Sequence, residues 1–302
     1  MAVSDIGHPF QGVAWYWVED SYGGGESATT LPISSYIQNI RIGTGDKGKD
    51  IRHIASAVVA ERIVQTNEPT LSIEYNPQVG DTLISDTVER SSCCTLKSLA
   101  FCFGANTCLG GDNDTYYTVV GAKPSSVKIS SAKNEPYTVS IDFLAQSVTT
   151  VMTGEEPTAL AGVINQFHVG GEITKTGGWV VDTDHIAYIT NSINITIDHQ
   201  LTGYTDHDSL NKAFLVEGTM DVKGTVDITL DGAGGMHMAE VIAFTDFTIT
   251  VNMGGAGAVK LTLPGCNWDK SEVEINANGE AMMESASFTA VPSSCSGIVS
   301  TV

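Results

Sequence analysis

The chain has 302 residues and a mass of 31.9 kDa, long enough for two domains of ordinary size. With 42% hydrophobic residues it can build packed cores, which excludes a disordered chain, and no apolar run approaches the roughly 18 residues of a membrane-spanning helix. Its 35 acidic and 15 basic side chains leave a net charge of −20, the wrong sign for a protein that grips phosphate backbones.

Along the chain, residues 1–10 lack the basic and apolar regions of a secretory signal, so a cytoplasmic origin is expected. Trp15-Tyr16-Trp17 and Gly23-Gly24-Gly25 lie outside any strand–helix frame that would cradle a phosphate, and residues 1–35 read as a flexible N-terminal arm. Ile51 to Val64 has the Ala and Val content of a helix, while its β-branched residues favour strand or loop equally. Cys94 to Gly104 carries Leu96, Leu99, Ala100 and Phe103 at helical spacing with a glycine stop, so a short helix is expected there. A second short helix is expected over Met236 to Phe244.

Elsewhere apolar and polar residues alternate with period two, the mark of half-buried strands. Val127 and Ile129, then Val139, Ile141 and Phe143, then Ile193, Ile195 and Ile197 follow this rule. So do Val226, Ile228 and Leu230, then Phe247 to Met253, and Val259 to Leu263. Clusters such as Asp231-Gly232-Ala233-Gly234-Gly235 mark turns between them. The class is mainly β.

The chain also resembles itself. Tyr36–Tyr75 aligns with Asn191–Leu230 at an offset of 155, matching Asn39, Ile40, Ile42 and Ile73 to Asn194, Ile195, Ile197 and Ile228. Glu135, Ser140, Phe143 and Ala145 match Glu280, Ser285, Phe288 and Ala290 at an offset of 145. Two tandem β-sandwich or barrel domains are expected, each with a short helix: 36–155 and 191–302, joined by a connecting segment over 156–190.

Catalytic motifs are missing: there is no nucleophile elbow, P-loop or zinc-protease helix in a fitting context. The best metal candidate is Asp198, His199, Asp206, His207 and Asp208, but the matching segment of the first half holds Lys47, Lys49 and Arg52, which argues against a shared site. Asp112-Asn113-Asp114 begins like a calcium loop and lacks the glycine and distal glutamate that complete one. No catalytic residue, metal or cofactor is therefore expected. The six cysteines, Cys93, Cys94, Cys102, Cys108, Cys266 and Cys295, show no zinc spacing. Reduced, partly buried thiols are expected, with a Cys266–Cys295 bridge, or one among the first four, as the alternative.

Val120–Val148, VGAKPSSVKISSAKNEPYTVSIDFLAQSV, resembles the mid-chain hairpin of tail tube (major tail) proteins of long-tailed phages and related archaeal viruses. Asn191–Asp231, a strand, a long loop and a strand pair, and the closing Leu263–Val291 hairpin are similar to later segments of the same family. The resemblance implies a β-sandwich or barrel with a flanking helix, as in the tube of type VI secretion systems. It implies rings of six domains stacked into a hollow virion tail tube that conducts the viral genome. A chain with two copies would then give homotrimeric, pseudo-hexameric rings. Other tail proteins would be partners, DNA would pass without specific binding, and no membrane would be involved. A secreted or surface β-domain assembly protein is the alternative, and an enzyme with a metal in the Asp198–Asp208 segment a third.

Two surfaces are singled out. The long connections, 43–69 and 199–224, are expected to contact the neighbouring ring through Asp46, Lys47, Lys49, Asp50, Ile51, Arg52 and Ile54 in the first, and Asp206, His207, Asp208, Leu210, Lys212 and Phe214 in the second. The outward strand positions Ser72, Glu74, Asp142, Asp227, Thr229, Glu272 and Glu274 are expected to line the channel.

Overall fold

The computed structural model describes residues 12–24, 29–34, 36–44, 48–52, 59–64, 68–91, 94–105, 115–132, 135–150, 172–175, 188–205, 211–230, 241–244, 246–253, 259–274, 282–292 and 298–301. The protein is mainly β. In order the first elements are β1 (Gly12–Val18), β2 (Leu31–Pro32), β3 (Ile37–Gly43), β4 (Gly48–Arg52), β5 (Val59–Val64), β6 (Thr70–Tyr75), helix α1 (Leu83–Val88), β7 (Leu99–Ala105), β8 (Thr115–Ala132), β9 (Thr138–Leu144) and β10 (Ser147–Thr149). There follow β11 (Glu172–Lys175), β12 (Tyr188–Asp198), β13 (Thr202–Thr205), β14 (Lys212–Val216), β15 (Asp221–Leu230), β16 (Phe247–Asn252), β17 (Val259–Glu274), β18 (Met282–Ala290) and β19 (Val299–Thr301).

Alternation explains the strands. In β6, β9 and β16 every second side chain is buried, and Leu71, Ile73, Val139, Ile141, Phe143, Ile249 and Val251 all enter one core. Among the described residues fifteen strands join in a single sheet, and two hairpins, β4–β5 and β13–β14, stand apart from it. Neighbours run β1-β7-β8-β9-β6-β3 in the first half of the chain. In the second half they run β11-β16-β17-β18-β15-β12. The halves meet where β12 pairs antiparallel with β8, Ser192–Asp198 against Ser126–Ala132.

The registers correct the spacing expected from the identities. Phe143 lies opposite Leu71, and Phe288 opposite Gly224, which places β3 and β6 at an offset of 153 from β12 and β15. A bulge agrees: it falls between Ile37 and Asn39 in β3 and between Thr190 and Ser192 in β12. Ile40 therefore corresponds to Ile193, Ile42 to Ile195 and Ile73 to Val226, rather than to Ile195, Ile197 and Ile228. A slip of two residues leaves every side chain on its original face, so the hydrophobic pattern could not reveal it.

Three other expectations change. Residues 99–105 form strand β7, not a helix. Leu99, Phe101 and Phe103 enter the main core while Ala100 and Cys102 pack with Trp15 and Trp17 on the opposite face. An apolar run buried on both faces has lost its alternation and mimics helical spacing. The helix of the first half is instead α1, with Leu83, Ile84 and Val88 fully buried. Residues 12–18 are a core strand rather than an arm: Tyr16 is buried and its hydroxyl bonds Asp86 Oδ2 at 2.9 Å and Thr82 Oγ1 at 2.6 Å, tying β1 to α1. Residues 51–52 lie in strand β4 and residues 59–64 form β5. The second expected helix is seen at residues 241–243, with Phe244 in a turn and residues 236–240 outside the described residues. Cys94 is disulfide-bonded, contrary to the expectation of reduced thiols, while Cys102 and Cys266 are buried thiols outside any disulfide.

Candidate assembly surface

Residues directly opposite one another in a sheet share a face, so the registers assemble the polar surface row by row. Ser72 faces Asp142, which faces Ser126, then Asp198 and Asp221. Asp227 lies between Ser192 and Ser285, and Ser285 faces Glu272. Thr229 faces Met283, which faces Glu274. Glu74 faces Ser140 and then Lys128, the basic exception. The seven outward candidates thus occupy one continuous face across β6, β9, β15 and β17. Hydroxyls hydrogen-bond two of the carboxylates: Ser126 donates to Asp142 Oδ2 at 3.0 Å and Ser192 to Asp227 Oδ2 at 2.5 Å. Asp227, Glu272 and Glu274 line a depression at the β15-β18-β17 end, while Glu284, opposite Ile228 and Val273, is fully buried. Among the described residues no group of three or more His, Cys, Asp or Glu could hold a metal ion.

The two long connections are β-hairpins rather than irregular loops. In β13–β14, Tyr204 faces Phe214, and their rings stack with centroids 5.3 Å apart. Both are about half exposed, Tyr204 at 49% and Phe214 at 48%, with Val216 beside them at 42%. Tyr204 was missed in the sequence because nothing but the cross-strand register brings it to Phe214. Lys212 is turned the other way: it is 3% exposed and 3.6 Å from Glu68. Of the remaining hairpin candidates, Asp46, Lys47, Ile54, Asp206, His207, Asp208 and Leu210 lie outside the described residues, and for Lys49, Asp50, Ile51 and Arg52 only the backbone is described.

The base of the second hairpin is fastened to α1. His199 is fully buried, with Nε2 2.9 Å from the Thr87 carbonyl and Nδ1 3.2 Å from Arg90 Nη2. Arg90 also donates to the carbonyls of His199, at 3.3 Å, and Gly218, at 2.7 Å. With Nδ1 accepting from a guanidinium, the ring is neutral and Nε2–H donates to Thr87. Burial, with Arg90 adding to it, pushes the imidazole down to about 4. Both ring nitrogens are engaged, which removes His199 from the metal-ligand set. Glu217 completes the anchor through Lys123 Nζ and the Leu96 N–H.

Among the described residues several strand edges have no strand partner, the outer edges of β2 and β11 included, and two of them end the row β3-β6-β9-β8-β12-β15-β18-β17. β3 pairs with β6 on one side and has no strand on the other. β17 pairs through Cys266–Glu274 with β18, and through Lys260–Cys266 with β16 across its other edge, leaving residues 270–274 uncovered on that edge.

A family model described as "Phage tail tube protein" matches residues 96–290. No curated protein matches the chain. No described helix is long and apolar enough to cross a membrane.

Proposed function

The chain belongs to the phage tail tube protein family, a structural component of the virion tail, and from that premise we propose that it carries two tandem tube units, three chains closing a ring that stacks into a genome-conducting tube. The observation that carries this is the matched strand order of the two halves, β1-β7-β8-β9-β6-β3 and β11-β16-β17-β18-β15-β12. The bulges, the flanking hairpins and the helical segment after β6 and after β15 match as well. On this reading the first unit begins at β1 and the second at β11, so the expected arm belongs to the first unit.

Six like units around an axis remove the exposed strand edges that an isolated chain leaves open. The continuous polar face is the channel lining. Its Asp and Glu side chains, in a chain of net charge −20, repel phosphate over about a Debye length, roughly 8 Å at physiological salt. Its hydroxyls are well hydrated and give bases no apolar grip, so DNA passes without a deep binding minimum. The hairpins β4–β5 and β13–β14 stand off the sheet and supply contacts between rings, with the exposed Tyr204–Phe214 pair as the apolar element. The function is structural, with no reaction to assign.

Negative-stain microscopy of the purified chain, with native mass measurement of any rings, tests this. Rings or tubes with three chains per ring, three times the 31.9 kDa chain, are expected. Six chains per ring would overturn the tandem-unit count, and a monomer that never assembles would overturn the tube reading. A lumen dominated by Lys, Arg or exposed aromatics would overturn the channel assignment.

A further inference from the structure

Cys94 is exposed and disulfide-bonded, whereas Cys102 and Cys266 are buried thiols outside any disulfide. Cys93, Cys108 and Cys295 lie outside the described residues, and the reach of the chain separates them as partners for Cys94. A trans peptide holds neighbouring Cα atoms about 3.8 Å apart, closer than the roughly 4.4–6.8 Å of a disulfide, which disfavours Cys93. Cys108 follows Ala105 by three residues, a reach of about 11 Å. Cys94 belongs to the other end of β7, where Leu99 is about 20 Å from Ala105 along the strand. The Glu19 N–H bonds the Ser98 carbonyl at 2.9 Å, so the ladder runs on past Leu99, and the bridge between Arg90 and Leu96 sets the 91–95 turn beyond it. At full reach Cys108 stops short of that turn.

Cys295 has neither obstacle. Four residues after it the Val299 N–H donates to Glu89 Oε1 at 3.0 Å, beside the start of the turn that carries Cys94. Four residues span up to about 14 Å, enough to reach the turn from there.

The comparison of the two halves points to the same pair. Between α1 and β7 lie ten residues, 89–98, whereas three, 244–246, lie between the second helical segment and β16. Between β9 and β10 lie two residues, 145–146, whereas eight, 291–298, lie between β18 and β19. The backbone matches at the start of both of these connections: the Gln146 N–H bonds the Val120 carbonyl and the Val291 N–H bonds the Gly265 carbonyl, each at 3.0 Å. Each half thus has one connection several residues longer than its counterpart. One long connection carries Cys94, the other carries Cys295, and Glu89 and Val299 tie the two together.

We infer that Cys94 is joined to Cys295, a covalent clasp between the turn after α1 and the connection that leads into β19. It forms by exchange with a small external disulfide such as oxidised glutathione. The exposed Cys94 thiolate attacks that disulfide and expels one small thiolate, leaving a mixed disulfide. The Cys295 thiolate then attacks the Cys94 sulfur and releases the second. Two protein thiols are oxidised, the external disulfide is reduced to two thiols, and the two protons pass to those thiols. The clasp closes a loop of about 200 residues, and a loop of that length strongly restricts the unfolded chain. It also braces the 91–95 turn, whose neighbour Leu96 donates its N–H to Glu217 at the base of the second hairpin.

Peptide mapping tests the pairing. The full chain is equilibrated with oxidised glutathione, its remaining thiols are alkylated, and it is digested with trypsin without reduction. Trypsin cuts after Arg90, Lys97, Lys128, Lys260 and Lys270, so peptide 91–97 carries Cys93 and Cys94, 98–128 carries Cys102 and Cys108, 261–270 carries Cys266 and 271–302 carries Cys295. Peptide 91–97 should be found joined to 271–302, the link should vanish on reduction, and Cys93→Ser should retain it. Peptide 91–97 joined to 98–128, bridged within itself or fully alkylated overturns the clasp, and so does loss of the link in Cys93→Ser. The urea midpoint of the oxidised wild type should fall on reduction, while that of Cys295→Ser should not change. A wild-type midpoint indifferent to reduction overturns the clasp as a brace of the fold.

Discussion

Gly121 and Gly265 hold the same left-handed backbone conformation, φ +65° and +63°, at the same point of β8 and β17. In each strand the glycine stands where the half that pairs with β7 or β16 gives way to the half that pairs with β9 or β18. A side chain there would be strained, and it would also have no room. A Cβ on Gly265 would come within 2.7 Å of the Val291 carbonyl oxygen, and one on Gly121 within 2.6 Å of the Gln146 Cβ. In the first half the bend is held further by Glu19, whose carboxylate accepts from the Gly121 N–H at 3.2 Å and from the Ser98 hydroxyl at 2.6 Å.

Gly121→Ala and Gly265→Ala should therefore each lower stability by about 1–3 kcal/mol, read from urea midpoints at an unchanged slope. An alanine tolerated without loss at either site would mean that the bend does not depend on that glycine.

His199 makes stability depend on acid. Its imidazole is held to about 4 in the folded chain by burial and by Arg90, against about 6.5 unfolded. Between those values the unfolded chain binds the extra proton, so stability falls as pH drops from about 6.5 toward 4 and is fully retained above that window. The difference amounts to about 3 kcal/mol. The stability gap between wild type and His199→Gln should narrow by about that much from pH 7 to pH 4. A gap independent of pH would contradict the neutral, Arg90-bound ring.

Asp81 has the opposite sign. Burial raises its carboxyl to about 6, while its Oδ1 accepts the Leu83 N–H at 2.8 Å at the start of α1. Below about 6 the folded chain takes up the proton first, so this group favours the fold increasingly as pH falls toward 4 and opposes it at pH 7. Asn keeps the acceptor and removes the charge. Asp81→Asn should be more stable than wild type at pH 7, by up to about 3 kcal/mol, with the advantage gone below pH 4. Equal stability at pH 7 would show that the buried carboxylate is compensated.

Tyr204 and Phe214 are each about half exposed and stack on one another, so their removal should cost the single chain little. Tyr204→Ser with Phe214→Ser should leave the circular dichroism spectrum and any rings unchanged while abolishing stacking into tubes. Tubes of normal length from this variant would remove the second hairpin from the ring-to-ring contact.

The β class, the positions of most strands and the polar outward face were all legible in the residues, because period-two alternation is a local consequence of the pleat. Ser72, Asp142, Asp227 and Glu272 could be assigned to the outward side from their neighbours Leu71, Ile141, Val226 and Val273 alone. Like segments in a like order were also visible in outline. Alternation failed only where both faces are buried, at Trp15–Trp17 and Leu99–Phe103, and there a core strand read as an arm or a helix.

Which strand lies beside which was decided only by the tertiary structure. Pairing is a long-range choice between segments with nearly the same pattern, and a two-residue slip leaves that pattern unchanged. The offset of 153, the β8–β12 junction and the burial of His199 under Arg90 all depend on such choices. So do the ends of the row from β3 to β17: Arg41 and Glu274 are ordinary surface charges in the sequence, and only the strand order places them at its opposite ends.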